Sequence, residues 1–523
     1  MNLPDLNGRP LAWVAIVSLI GFLLYRRDRA EAPVWSLPLA LALVAWFVGL
    51  IAWYLQHPAY RDHAEGTFPA IAWAFLHGAP LYHTVDAPER YTHIYGPYFY
   101  LAHALSLYLF GATVMASKLT GVIGGLGSVV ALYLATWKIS SARFAILACG
   151  YSVLMYLCFR HVSFWARPDS LLLLTVSSAL AIGVLASPPW AAVGVGLLTG
   201  VALNLKLTGP LYIAPVWVLL AQRSSMSILA IAAPAFAFAV VAPFTSTERI
   251  SASNFWFWFR ESSENGLVIR SLRQNVEWTL FLWLPVLPIF SSPWWRTHRV
   301  FLIVLALGMI GVAIPAAKPG AGHYHLLPFA PLVGWIGAAA LWRLRSTGVT
   351  AFRRWAVLAR AILVVGLAIA LTEQVGALQE MRKVDASAVT HEIQAFLNRH
   401  PSRHVAMGFA GKSMYLGAGP YSYYAPLVVF HTGRYPIDQA GVQEHQLAGI
   451  EIPSSTNELL RTCQYEYWLV PKGDEPFATL NMYPVTGHMR LFPLGFRKAF
   501  FESYQIVESL RFYDVWQCGK AKS

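Results

Sequence analysis

The chain has 523 residues, 56% of them hydrophobic and 12% charged, with a mean hydropathy of +0.49. That balance excludes an ordinary soluble globular protein and describes a polytopic membrane protein. The formal charge of +13 does not indicate a nucleic-acid face, because the basic residues stand in short clusters between apolar runs, the positive-inside pattern of a membrane protein.

A helix needs about 20 apolar residues to cross a bilayer. The first expected span, Leu11 to Tyr25, is closed by the basic run Arg26 to Arg29; the charge follows the apolar run, so a cleaved signal peptide is not expected. With that cluster inside, the second span, Trp35 to Leu55, delivers residues 56–112 to the outer, periplasmic side. Further spans are expected at Val114 to Trp137, Phe144 to Phe159, Leu171 to Ala186, Ala191 to Leu205, Leu211 to Ala221, Ile228 to Phe244, Trp278 to Phe290, Val300 to Ile314, Leu326 to Leu341 and Trp355 to Leu371. This parity keeps Lys138, Arg143, Arg223 and the clusters WWRTHR, WRLR and FRRW inside, and puts loops 160–170, 245–277 and 315–325 outside.

After Thr372 polar residues alternate with short apolar strands. Ala386 to Arg399 reads as an amphipathic helix, HVAMGFA and YEYWLVP as strands, STNELLRTC as a capped helix and SYQIVESLRFYDVWQC as two strands. The expected fold is therefore a polytopic α-helical membrane module, residues 1–372 with about twelve transmembrane helices, followed by a soluble α/β domain, residues 373–523, on the outer side. Cys149 and Cys158 lie inside apolar runs, whereas Cys463 and Cys518 each sit beside an expected strand. An oxidising compartment permits a bridge between the last two, and the alternative is a pair of buried free thiols.

The first substantial polar interruption is the stretch 56–100. It carries Asp62 and Glu65 just after a membrane segment, where a carboxylate calls for a reason. AEGTFPAIAWAFLHGAPLY reads as a short interfacial helix ended by Gly78, and IYGPYFYLAHALSLYLFG as a second broken by Gly111. The same outer face collects Arg167 and Asp169 of ARPDS, Lys206 of ALNLKLTG, and Lys318, His323, Tyr324 and His325 of KPGAGHYHLLPF.

These residues resemble the GT-C superfamily of polyprenyl-phosphate-sugar-dependent glycosyltransferases, including the protein mannosyltransferases and the lipid A aminoarabinose transferases. The resemblance is carried by Glu65-Gly66, Phe68, Ala74, Leu76, Gly78, Leu81-Tyr82 and Tyr95-Gly96-Pro97-Tyr98, then by Arg167 and Asp169, Lys206, and the segment from Lys318 to Pro331. Many relatives carry adjacent Asp-Glu, whereas here Ala64 precedes Glu65 and the Asp stands at 62, so both carboxylates are candidates for the base. What the resemblance implies is a transferase that moves a sugar from a polyprenyl phosphate carrier to a glycan, lipid or protein acceptor on the outer face of the cytoplasmic membrane, with inversion.

The chemistry needs three things: a base for the acceptor, cations for the departing phosphate and aromatic faces for the sugar. Asp62, Glu65 and Asp169 are candidates for the first. Arg167, Lys206, Lys318, His323 and Arg270 or Arg273 are candidates for the second, and Tyr82, Tyr95, Tyr98, Tyr324 and His325 for the third. Plainer roles stand beside these: Asp62 paired with Arg61, Glu65 at a helix N-terminus, Arg167 with Asp169 as a structural pair, Lys206 snorkelling from a helix end. NFWFWF (Asn254 to Phe259) reads as an interfacial anchor, or a gate for the lipid tail. The residues establish no cofactor; a divalent metal held by His323 and His325 with the acidic loop stays open, although an i, i+2 pair is weak metal evidence. Readings from other classes are a transporter or lipid flippase, which would place charges at the midplane of repeated halves, and a non-catalytic glycan-binding scaffold.

Overall fold

The structure is a computed structural model and describes residues 15–20, 36–61, 63–159, 163–225, 227–263, 266–347, 349–381, 384–401, 404–412, 418–483 and 489–519. The chain forms two compact units. The first comprises the described residues of Met1–Tyr54, Gly121–Ala242 and Leu267–Glu380, and the second Leu55–Thr120, Pro243–Gly266 and Met381–Ser523.

Among the described residues eight helices are long and apolar enough to cross a bilayer: Ser36–Gln56, Val114–Ile139, Pro168–Leu185, Pro188–Leu205, Ile228–Thr245, Arg299–Ala317, His323–Thr347 and Ala351–Gly376. Each coincides with an expected span. The other four expected spans differ. Ala142–Cys158 is apolar but only 17 residues long, and Gly209–Arg223 has 15 residues with Pro215 inside it. Trp278 to Phe290 is not one helix: Ile269–Trp283 gives way to a 3-10 helix, Leu284–Ser291, where Pro285 and Pro288 remove two backbone donors. Leu11 to Tyr25 lies largely outside the described residues, of which 15–20 are helical.

In the first unit, helix Ala142–Cys158 packs on Ala330–Thr347, and Pro168–Leu185 packs on both Pro188–Leu205 and Gly209–Arg223. Side chains left uncovered include Ile123, Phe238, Ile303 and Leu307, an apolar outer surface suited to hydrocarbon and unsuited to water.

The second unit joins the helices His63–Leu76 and Pro97–Phe110 to the C-terminal sheet domain. The first of these ends before Gly78, at φ +104, a left-handed turn that relieves the helix of its last carbonyls. The sheet has order β1-β2-β4-β3, from β1 (Val405–Met407), β2 (Tyr467–Pro471), β3 (Tyr504–Ser509) and β4 (Tyr513–Cys518). β1 and β2 are parallel; β4 runs antiparallel to both β2 and β3. Helices Ala386–Arg399, Ser454–Arg461 and Leu494–Ser503 accompany it, and the core gathers Trp468, Phe477, Phe492, Phe496 and Phe500. Cys463 and Cys518 are joined in a disulfide, with Cα atoms 5.9 Å apart; Cys149 and Cys158 are free and buried.

Candidate functional site

In the first unit the segment 163–170 is held against helix Val114–Ile139 by close approach. A Cβ on Gly121 would stand 2.0 Å from the Trp165 carbonyl oxygen, and one on Gly124 2.5 Å from that of Ser170. Only the bare backbone of glycine lets the segment lie that close. Ser170 Oγ donates to the carbonyls of Arg167 (2.7 Å) and Trp165 (3.2 Å), closing the turn. Pro168 then starts its helix at the first position, which places Arg167 at the N-cap and Asp169 in the first turn, where the helix dipole favours a carboxylate.

Lys206 reaches the same place from another helix end. Helix Pro188–Leu205 stops at Lys206, and the chain reverses at once: Gly209 N donates to the Lys206 carbonyl at 2.6 Å, and a Cβ on Gly209 would meet the Ala202 carbonyl at 2.0 Å. Lys206 Nζ donates to Asp169 Oδ1 at 3.2 Å, and both side chains are buried. The Tyr324 ring lies below both cations, 5.5 Å from Arg167 Cζ and 5.9 Å from Lys206 Nζ. Its hydroxyl donates to the Gly320 carbonyl at 3.1 Å.

Around this centre His323 stacks on Trp278, with ring centroids 5.1 Å apart and planes within 7°. The His325 carbonyl accepts from Tyr212 Oη at 2.8 Å. Among the described residues Asp169 Oδ2 and His325 Nδ1 are buried without a hydrogen-bond partner. Lys318 is half-buried, and burial holds its ammonium below the usual lysine pKa. Arg270 is exposed on the first turn of its helix and makes no ion pair among the described residues, while Arg273 pairs with Glu277 at 3.0 Å. Arg167, Asp169, Lys206, Tyr324 and His325 thus form one group with two basic side chains and one carboxylate.

The other predicted residues belong to the second unit. Asp62 lies outside the described residues. Glu65 stands in the first turn of His63–Leu76, fully buried, and its Oε2 accepts from Arg61 N at 2.6 Å. The charge beside it is Lys118, also fully buried, which interacts electrostatically with Glu65 and donates to the carbonyls of His57 (2.7 Å) and Ala59 (2.8 Å). Burial, then Lys118 and Arg61, pull the His57 imidazole down to about 4, so it stays neutral. Tyr82 is fully buried under Tyr100 and Phe255 and donates to the Tyr95 carbonyl at 2.7 Å. Tyr95 and Tyr98 are half-buried, and Tyr95 meets Phe68 edge-on at 5.3 Å.

Sequence reasoning missed Lys118, although an ionisable residue inside an apolar run was the available signal. It also missed a buried network in the same unit. Asp438 accepts from Thr67 Oγ1 (2.7 Å), Tyr435 Oη (2.7 Å), Gly441 N (2.6 Å) and His93 Nε2 (2.8 Å), while His93 Nδ1 faces Glu444 at 3.1 Å. Burial, the largest effect on His93, lowers its pKa, but Glu444 and Asp438 together outweigh it and raise the group to about 10. His93 is therefore an imidazolium, and its charge with the three hydroxyl and amide donors holds the Asp438 carboxyl below its usual range despite burial. The partners lie in distant stretches of chain and leave no local pattern. Among the described residues no three His, Cys, Asp or Glu side chains are arranged to hold a metal ion.

No family model matches the chain, and no curated protein sequence matches it. Among solved structures it is similar to ArnT from Cupriavidus metallidurans bound to undecaprenyl phosphate, with a TM-score of 0.52 and 15% identity over 90% of this chain and 97% of that one. The apo state of the same ArnT gives a TM-score of 0.53 and 14% identity over 91% and 98% of the two chains. The Archaeoglobus fulgidus oligosaccharyltransferase in complex with zinc and sulfate aligns with a TM-score of 0.40 and 11% identity, over 84% of this chain and 68% of that one. The fold of this chain is thus like that of ArnT: a multi-pass helical membrane protein with a small C-terminal sheet domain.

Proposed function

We propose that this chain is an integral membrane glycosyltransferase that moves a sugar from a polyprenyl phosphate carrier to a glycan, lipid or protein acceptor on the outer face of the cytoplasmic membrane. The observation that carries the reading is the Arg167, Lys206 and Asp169 group over the Tyr324 ring. It has a surplus of positive charge and stands where apolar helices end. A polyprenyl phosphate has the complementary form, with a hydrocarbon tail for the bilayer and a phosphate at its boundary. Arg167 binds that phosphate through its planar fork and Lys206 as a point charge, with Asp169 as the positioning residue that fixes Lys206. Lys318 and His323 add charge or a hydrogen bond, and the Tyr324 face takes the sugar.

In the reaction the acceptor oxygen attacks the anomeric carbon as the carbon–oxygen bond to phosphate breaks. Polyprenyl phosphate leaves with the bonding pair, and the acceptor proton passes to a carboxylate, for which Glu65 is the first choice and Asp62 the second. Attack opposite the leaving phosphate inverts the anomeric centre. The likeness to ArnT bound to undecaprenyl phosphate supports the fold behind this reading.

The test is binding of undecaprenyl phosphate to the purified full-length chain in detergent. Replacing both cations, R167Q with K206Q, is expected to weaken binding at least about a hundredfold, at roughly tenfold for each lost charge-assisted contact. Undiminished binding by a variant that stays monodisperse would remove the phosphate assignment.

A further inference from the structure

The first unit contains a second built feature, at the end of the bundle away from Tyr324. A cavity of about 590 Å³ opens between the starts of helices Ser36–Gln56 and Ala142–Cys158, the last turns of Ala330–Thr347 and the first turns of Val349–Met381. Leu37, Leu147, Phe352 and Ala359 supply apolar wall, and Arg143 and Arg345 stand at its rim. Helix Ala142–Cys158 runs from Arg143 towards the segment that bears Arg167, roughly 25 Å of helix at its ordinary rise. The two cation groups are therefore separate.

Arg143 and Arg345 are exposed, and neither has a hydrogen bond or ion pair among the described residues. Among the described residues no carboxylate lines the cavity. The neighbouring Arg343 is different, since it stacks on Trp342 at 4.9 Å and faces Trp294 at 5.9 Å. Two uncommitted guanidinium groups over an apolar cavity of this size match one kind of molecule: an amphiphile with a phosphate head and acyl chains. A soluble anion would leave the apolar walls unused, and a zwitterionic lipid would bring its own cation to the rim. We propose that this cavity is a binding site for an anionic glycerophospholipid of the surrounding leaflet, its phosphate held by Arg143 and Arg345 and an acyl chain laid along Leu147, Phe352 and Ala359. The proposal stands on the cavity alone and does not depend on the transferase reading.

The test uses delipidated full-length protein offered phosphatidylglycerol and phosphatidylcholine with identical acyl chains, with retained lipid counted by native mass spectrometry. Wild type is expected to retain phosphatidylglycerol about tenfold over phosphatidylcholine, R143Q/R345Q to fall to near parity, and R296Q, which loses an exposed charge outside the cavity, to keep the preference. A359F keeps both charges but fills the wall, and it should lose most retained phosphatidylglycerol; inorganic phosphate should not displace the lipid. A preserved preference in a monodisperse R143Q/R345Q variant would overturn the proposal. So would displacement by phosphate alone with A359F unaffected, which would make this a free-anion site.

Discussion

Lys206 and Asp169 meet at 3.2 Å with both side chains buried, and the Tyr324 ring lies 5.9 Å from the lysine and 5.5 Å from Arg167. A paired lysine and carboxylate would be electrically closed; the added guanidinium leaves the group one charge positive. That surplus is what makes it a phosphate site on the present account, and it separates the roles of the two partners.

The two single variants should diverge accordingly. Lys206→Met leaves a buried carboxylate unpaired and is expected to cost about 3–5 kcal/mol of stability, and at least tenfold in affinity for undecaprenyl phosphate. Asp169→Asn also loses stability, but its Oδ1 can still accept from Lys206 and hold it in place while the local positive charge rises, so it should bind undecaprenyl phosphate no more weakly than wild type. Thermal unfolding together with a lipid-binding titration reads both effects, and equal loss of affinity in the two variants would contradict the division of roles.

Glu65→Gln keeps the shape of the buried side chain and removes its capacity to take a proton. Sugar transfer is expected to fall about 10²–10⁴-fold while binding of undecaprenyl phosphate stays unchanged. If Asp62→Asn shows that loss and Glu65→Gln does not, the base is Asp62, and the Glu65–Lys118 pair is structural.

Gly121→Ala tests positioning without touching a charge. The added Cβ would stand 2.0 Å from the Trp165 carbonyl, so the backbone carrying Arg167 and Asp169 must move. Affinity for undecaprenyl phosphate is expected to drop about tenfold or more, since displacements near 1 Å cost on the order of 10²-fold where geometry is demanding. Ala substitution at Gly376, where a Cβ meets nothing within 4 Å, serves as the control and should leave affinity unchanged.

Much of this could be read in the chain itself, wherever one physical signal decided the matter locally. Eight spans follow from apolar length, and Ala386–Arg399 follows from its helical periodicity, with Asp385 capping it by accepting from Ala388 N. Trp278 to Phe290 does not form one helix because Pro285 and Pro288 intervene. In the candidate site the residue types of Arg167, Asp169, Lys206 and Tyr324 were legible, because charged and aromatic residues beside apolar runs stand out. Their meeting was not, because it depends on Gly121 and Gly209, whose role is to be absent from a contact. The Asp438 network was illegible altogether, since Thr67, His93 and Tyr435 converge only after folding.

His93 sets a pH dependence in the second unit. Its folded pKa, about 10, lies above the unfolded value of 6.5, so its stabilisation is complete below about 6.5 and is lost as pH rises through about 10. Resistance to chemical denaturation, followed by fluorescence of the domain's tryptophans, should decline across that window. His93→Gln should flatten the decline and cost about 3–5 kcal/mol at neutral pH, because Asp438 is then buried without its cation. An unchanged slope in the variant would assign the pH dependence elsewhere.

The central claim is transfer of a sugar from a polyprenyl phosphate, and the most direct measurement is mass spectrometry of lipid extracts and envelope glycans from cells with and without the chain. The account predicts that cells lacking the chain lose one sugar from an envelope acceptor and accumulate the same sugar on a polyprenyl phosphate, and that Glu65→Gln reproduces both changes. Unchanged glycans with no accumulated lipid-linked sugar would contradict it.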